Sequence, residues 1–300
     1  MSAWRAVAAV VLLAPSIAHA GDSASKPKES APREHRLKWR PEWPRFRIIE
    51  YGVVALAYEE YAFIEYRIQQ PTVPRWQGPI LFDQAFRDVF RLHDKSARLT
   101  AAQISDGLTL FDQVEPAVMS ALVPLVFDRG NFDIAWQLTM MNAEAGAFEG
   151  VLVRSSNHIA ARARPFADVC KVDKNYGDCG GITNSFPSGH AMAAFTGAGL
   201  TCAHHLHLPL YGGGWPDIAA CALDLTVATS TSVMRLISDN HWASDIFLGG
   251  MLGFSLGFGL PHLLHYYRAG APVVSAGSLA FAVLPRVTEG EVGVRALGVF

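Results

Sequence analysis

An excess of charge of either sign is missing from this chain. Its 25 lysines and arginines stand against 27 aspartates and glutamates, a formal net charge of −2, which excludes the basic face that a nucleic-acid partner requires. Close cysteine spacing is missing too. There are 4 cysteines and no Cys-x-x-Cys, so a zinc site built on them is excluded. No internal repeat runs through the sequence, and it is therefore not a stack of repeated units. Charged residues are sparse at 17%, against 50% hydrophobic. The 300 residues suffice for one sizeable core or a modest membrane bundle.

What is present changes character along the chain. Met1 to Ala20 has the composition of a secretory signal: Arg5, an apolar run Ala6–Leu13, then Ala18-His19-Ala20 before Gly21. Residues 21–47 are rich in Lys, Arg, Pro, Ser and Glu, the composition of a disordered linker. Apolar periodicity between Pro and Gly clusters predicts helices over 48–68, 80–93, 101–127, 132–162, 189–207, 217–237 and 242–267. Beyond residue 270 the pattern alternates, with Leu279, Phe281 and Val283 before Glu289-Gly290 and Val292 and Val294 after it, which predicts a β-hairpin. The expected fold is an all-α bundle over 48–270 with a short C-terminal β-hairpin tail over 271–300.

The chemistry concentrates in three pieces. Arg164-Pro165 is the first, Pro187-Ser188-Gly189-His190 the second, and Arg235, His241 and Asp245 the third. His241 and Asp245 are four apart, so on a helix they share one face. A carboxylate there can hold one imidazole nitrogen and leave the other electron-rich. Two guanidinium forks, a hydroxyl and the backbone N–H groups of a Ser-Gly turn are the donors that a tetrahedral oxyanion needs. The set reads as a metal-free phosphoryl-transfer site. Each piece has a bland reading by itself: a helix end before proline, a turn that starts a helix, a structural i,i+4 pair.

At these residues the sequence resembles the type 2 phosphatidate phosphatase superfamily, which includes the bacterial non-specific acid phosphatases and the vanadium-dependent haloperoxidases. Its pattern is Lys, six residues, Arg-Pro; Pro-Ser-Gly-His; and Ser-Arg, five residues, His, three residues, Asp. Met234 stands at the family's Ser and Asn157 at its Lys. The resemblance implies that His241 attacks phosphorus and forms a phosphohistidine, that Asp245 orients it, and that His190 protonates the leaving oxygen and later activates water. Arg164, Arg235, Ser188 and the Gly189 N–H would bind the phosphate oxygens. Asn157, two turns before Arg164, could donate a neutral hydrogen bond to phosphate in place of the lysine, with Arg154, His158 or Arg162 as substitutes.

The implied activity is metal-independent hydrolysis of a phosphate monoester or lipid (pyro)phosphate in the cell envelope, with no cofactor and with membrane lipid as partner. Two alternatives stay open: a vanadate-dependent haloperoxidase, and a non-catalytic phospholipid-binding relative. Membrane members of the family have six spans and an inside N-terminus, which a cleaved signal would invert. Ile246–Tyr267 carries no Asp, Glu, Lys or Arg and is long enough to cross a bilayer. Glu59, Glu60, Glu144, Asp217 and Asp224 interrupt its neighbours. An integral bundle is expected, with a soluble periplasmic protein as the alternative.

In an exported chain, Cys170 and Cys179 bracket a short polar loop and are expected to form a disulfide. Cys202 and Cys221 lie in apolar segments and are expected as buried free thiols. His204-His205-Leu206-His207 reads as an interfacial helix end and not as a metal site.

Overall fold

The computed structural model describes residues 34–177 and 179–266, with the backbone of 280–288 and 291–299. The signal expected at the N-terminus lies outside the described residues. The helices are α1 Ile48–Arg67, α2 Asp83–Phe90, α3 Lys95–Leu122, α4 Phe132–Ala160, α5 Ala167–Val172, α6 Gly189–His207, α7 Trp215–Ile237, α8 Ala243–Phe254 and α9 Leu260–Leu264. Wider π-type turns, Val123–Phe127 and Ser255–Gly259, extend α3 and join α8 to α9. The expected all-α bundle is the fold. Strands β1 Ala280–Thr288 and β2 Glu291–Val299 pair antiparallel, Thr288 opposite Glu291, which is the hairpin read from the alternation.

Local chemistry sets the helix ends. The Asp94 carboxylate accepts from Ala97 N at 2.8 Å to start α3, and the Asn131 amide oxygen accepts from Ile134 N at 3.3 Å to start α4. Helix α5 was not anticipated, because six residues leave no periodicity to read.

Helix α6 is the axis of the bundle, buried almost end to end and packed by α3, α4, α7 and α8. Its sequence, Gly-His-Ala-Met-Ala-Ala-Phe-Thr-Gly-Ala-Gly, is small enough for backbones to touch. A Cβ on Gly253 would lie 2.1 Å from Met192 O, and one on Gly249 2.6 Å from Ser188 O, so α8 reaches α6 only because both are glycine. Helix α1 packs on α4 at the side.

Two expectations change here. Residues 21–33 of the expected linker lie outside the described residues, and in its described part Leu37, Trp43 and Phe46 are buried. Leu37 N donates to Asp128 Oδ2 at 3.0 Å, and the Asn131 amide donates to Leu37 O at 2.9 Å. A few well-placed apolar side chains are enough to dock a segment whose average composition is polar. Cys202 and Cys221 are not free thiols: they form a disulfide between α6 and α7, Cα atoms 4.5 Å apart. The Cys170–Cys179 disulfide is present, Cα atoms 5.8 Å apart.

Among the described residues, three segments, Lys95–Phe127, Trp215–Ile237 and Ala243–Leu264, are long and apolar enough to cross a membrane.

Candidate active site

The three sequence pieces meet at one end of α6. Helix α4 ends at Ala161, whose left-handed backbone (φ 41°) turns the chain into Arg162-Ala163-Arg164. That strand-like stretch is held by Arg164 N donating to Ile182 O at 2.9 Å and Ser185 N donating to Arg162 O at 3.2 Å. Ser188 caps α6, its hydroxyl accepting from Ala191 N at 3.4 Å, while its own N–H donates to Asp245 O at 3.1 Å. The Pro-Ser-Gly-His turn is thereby fastened to the start of α8, and it opens α6, whose first N–H groups have no partner within the helix.

His241 is buried in the turn before α8. Its Nδ1 lies 2.8 Å from the Ser185 carbonyl oxygen. A carbonyl only accepts, so Nδ1 carries the proton and Nε2 keeps its lone pair. Burial, and then the charges of Arg164, Arg235 and His190, hold the His241 pKa well below the ordinary 6.5. The imidazole is therefore neutral and nucleophilic at neutral pH.

The expected direct bond from Asp245 to His241 is not the one formed. Asp245 Oδ2 is 4.0 Å from His241 Nδ1. That oxygen accepts instead from the Ser185 hydroxyl at 2.6 Å and from Trp242 N at 2.9 Å, as the capping group of α8. Its other oxygen pairs with Arg162. Asp245 reaches His241 through Ser185, whose hydroxyl binds the carboxylate and whose carbonyl binds the imidazole.

His190 Nε2 lies 2.8 Å from Asp106 Oδ1 on α3, and the same oxygen is 3.1 Å from Arg235 Nη1. Arg235 is buried, also donates to Ser105 Oγ at 3.1 Å, and its Nε has no hydrogen-bond partner among the described residues. Arg164 Nη1 donates to Asn240 Oδ1 at 2.9 Å. Burial, the largest influence, moves the His190 pKa below 6.5, against the opposing pull of Asp106. Asp106, Ser105, Ser185 and Asn240 were missed from sequence because none falls in a motif. No signal singled out Asp106, since α3 also carries Lys95, Arg98, Asp112 and Glu115.

Asn157 is not placed as a phosphate donor. It is buried, and its amide nitrogen donates to Val153 O at 2.8 Å and Pro187 O at 3.3 Å. With both N–H groups spent on carbonyls, it braces the turn before Ser188. The proposed substitutes are also engaged. Arg162 is fully enclosed between Asp83 and Asp245, Arg154 pairs with Glu65, and His158 Nδ1 meets the Arg154 carbonyl at 2.9 Å.

Away from this site, Glu50, Glu144 and His265 bring three ligand atoms within 4.8 Å of one another and could hold a metal. There Glu50 is taken by Arg47, and Glu144 by His265 at 3.0 Å. In the histidine-rich stretch, His204 bonds to Tyr266 and Asn142, and His205 to Asp217.

Residues 135–269 match the PAP2 superfamily. A lipid A 1-phosphatase from Porphyromonas gingivalis is 29% identical over 147 residues, which cover 46% of this chain and 28% of that protein. The chain thus matches less than a third of that relative's length. No solved structure matches the chain. The matched segment contains all three motif pieces and the helices that bring them together, and it is a domain of the PAP2 (type 2 phosphatidate phosphatase) superfamily.

Proposed function

We propose that the chain is a phosphatase that hydrolyses the phosphate ester of a lipid through a phosphohistidine on His241. The observation that carries this reading is the His241 tautomer, because the Ser185 carbonyl leaves Nε2 as a lone pair among Arg164, Arg235 and His190. Nε2 attacks phosphorus, the P–O bond to the lipid breaks, and the leaving oxygen takes a proton from His190. Water then attacks the phosphohistidine, giving its proton back to His190 and releasing phosphate. Arg164, Arg235 and the N–H groups at the start of α6 stabilise the charge on the equatorial oxygens. Guanidinium and backbone donors do the work that a metal does elsewhere, so the reaction is proposed to need none.

A lipid substrate is supported by the name of the P. gingivalis relative and by the apolar outer faces of α3, α7 and α8. The bundle is proposed to lie in a membrane of the cell envelope, its site open to phosphorylated headgroups. The test is hydrolysis by the purified chain, in chelator, of lipid A, phosphatidate, isoprenyl pyrophosphate and a soluble chromogenic ester. Chelator-resistant phosphate release, lost in His241→Ala, is expected on at least one lipid. Halide oxidation on adding vanadate, or binding without turnover, would overturn the reading.

A further inference from the structure

His241 sits at the end of a turn that a residue outside the three motif pieces holds in shape. Helix α7 ends at Ile237, and Ser238-Asp239-Asn240 leads from there to His241. Asp239 has a left-handed backbone, φ 63°, which residues other than Gly, Asn and Asp rarely adopt. It is 1% exposed, and its carboxylate accepts from two distant parts of the chain. Arg87 of α2 donates through Nε to Oδ1 at 2.7 Å and through Nη2 to Oδ2 at 2.8 Å. The Tyr176 hydroxyl donates to Oδ2 at 2.8 Å.

Both donors are themselves held. The Arg87 guanidinium also lies over the Trp242 ring, 5.6 Å from its centroid, so one side chain grips both flanks of Asn240-His241. Tyr176 belongs to the loop closed by the Cys170–Cys179 disulfide. Arg98 of α3 donates to its carbonyl and stacks on its ring, 3.9 Å from the centroid. The turn in its turn holds the anion donors: Asn240 N donates to Arg235 O at 3.2 Å, and Asn240 Oδ1 accepts from Arg164. We propose that Asp239 is a positioning residue of the phosphoryl site, clamped by Arg87 and Tyr176 so that its turn sets His241 in register with Arg164 and Arg235. A bidentate, charge-assisted pair has the directionality this requires. A left-handed residue persists where its surroundings dictate it, and an error of about 1 Å at a nucleophile costs about a hundredfold in rate.

The test compares the full chain in detergent with Tyr176→Phe, Arg87→Lys and Asp239→Asn. Asn tolerates the left-handed backbone as Asp does, so the last variant removes the charge and spares the turn. Each chain is measured where circular dichroism shows it folded. Inorganic vanadate, a mimic of the phosphoryl transition state, is titrated by calorimetry, and kcat and KM are taken on the lipid ester that the parent hydrolyses. Asp239→Asn and Arg87→Lys should bind vanadate at least about tenfold more weakly, and Tyr176→Phe about threefold. Their kcat should fall in step while KM moves less than about threefold, the mark of alignment lost in the transition state. Cys202→Ala/Cys221→Ala, destabilised away from the site, should bind vanadate as the parent does. The kinetic arm rests on the phosphatase reading and the vanadate arm does not. A parent that binds vanadate without turnover would overturn that reading, and weaker vanadate binding by the three variants would still uphold the clamp. Parental vanadate affinity and kcat in the variants, a lowered melting temperature as their sole change, or equal losses in Cys202→Ala/Cys221→Ala would overturn the clamp. A parent that binds no vanadate would overturn both.

Discussion

His190 and His241 titrate in opposite service. In the proposed mechanism His241 must be neutral to attack and His190 must carry a proton to donate. Burial lowers both pKa values from 6.5, that of His241 further. Activity on esters with basic leaving groups should therefore rise as pH falls from neutral toward the depressed pKa of His190. It should collapse only below the still lower pKa of His241. A pH profile of kcat/KM measures both limbs. Asp106 pulls the His190 pKa upward, so Asp106→Asn should move the upper limb to lower pH. Freed of that carboxylate, Arg235 and His190 should also bind inorganic phosphate more tightly. An unmoved limb would mean that another group is the acid. Arg162 acts at the same scale through charge: fully enclosed, it pairs with both Asp83 and Asp245. Arg162→Met should cost about 3–5 kcal/mol, because two buried carboxylates lose their partner. Denaturant unfolding would show it, and a loss below about 1 kcal/mol would contradict the buried pairing.

At the scale of elements, much of the arrangement was legible. Helices α1 and α6 and the C-terminal hairpin fall where period and alternation place them, and the three motif pieces gather at one end of α6. Spacing reveals which residues share a face, and that suffices for long regular segments. It does not reveal which carbonyl a buried nitrogen will meet, so neither the Ser185 link between His241 and Asp245 nor the bracing role of Asn157 could be read. Nor does it reveal that α6 and α7 run close enough to join Cys202 to Cys221. Peptide mapping without reduction should recover that pair and Cys170–Cys179. Removing the former as Cys202→Ala/Cys221→Ala should cost about 3 kcal/mol, the value for a loop of this length. Gly253→Ala tests the contact of α8 with α6 directly. Its methyl would sit 2.1 Å from Met192 O, so the helices must part, and a fall in melting temperature is expected where an ordinary glycine-to-alanine change in a helix stabilises.

For the whole molecule the question is what surrounds it. In the three segments long enough to span, only 28%, 28% and 22% of the apolar window is buried inside the bundle. The remainder points outward, with Leu223, Phe247 and Met251 more than half exposed. Their acidic residues Asp112, Asp217 and Asp224 are instead buried inside the bundle, as charges within spans require. Apolar outside and polar inside is the arrangement a bilayer requires, whereas a monomer in water rarely leaves so large an apolar surface uncovered. Expressed in its native cell, the chain should stay with membranes through an alkaline carbonate wash and leave only in detergent. Met251→Arg discriminates further. On a water-exposed helix that change alters stability by no more than about 0.5 kcal/mol. Near the middle of a span it costs about 2.5–3.5 kcal/mol of insertion free energy, which would appear as a loss of membrane-inserted protein. Release by carbonate together with normal accumulation of Met251→Arg would place these faces in water or against another protein, and would remove the lipid-facing support from the proposed substrate.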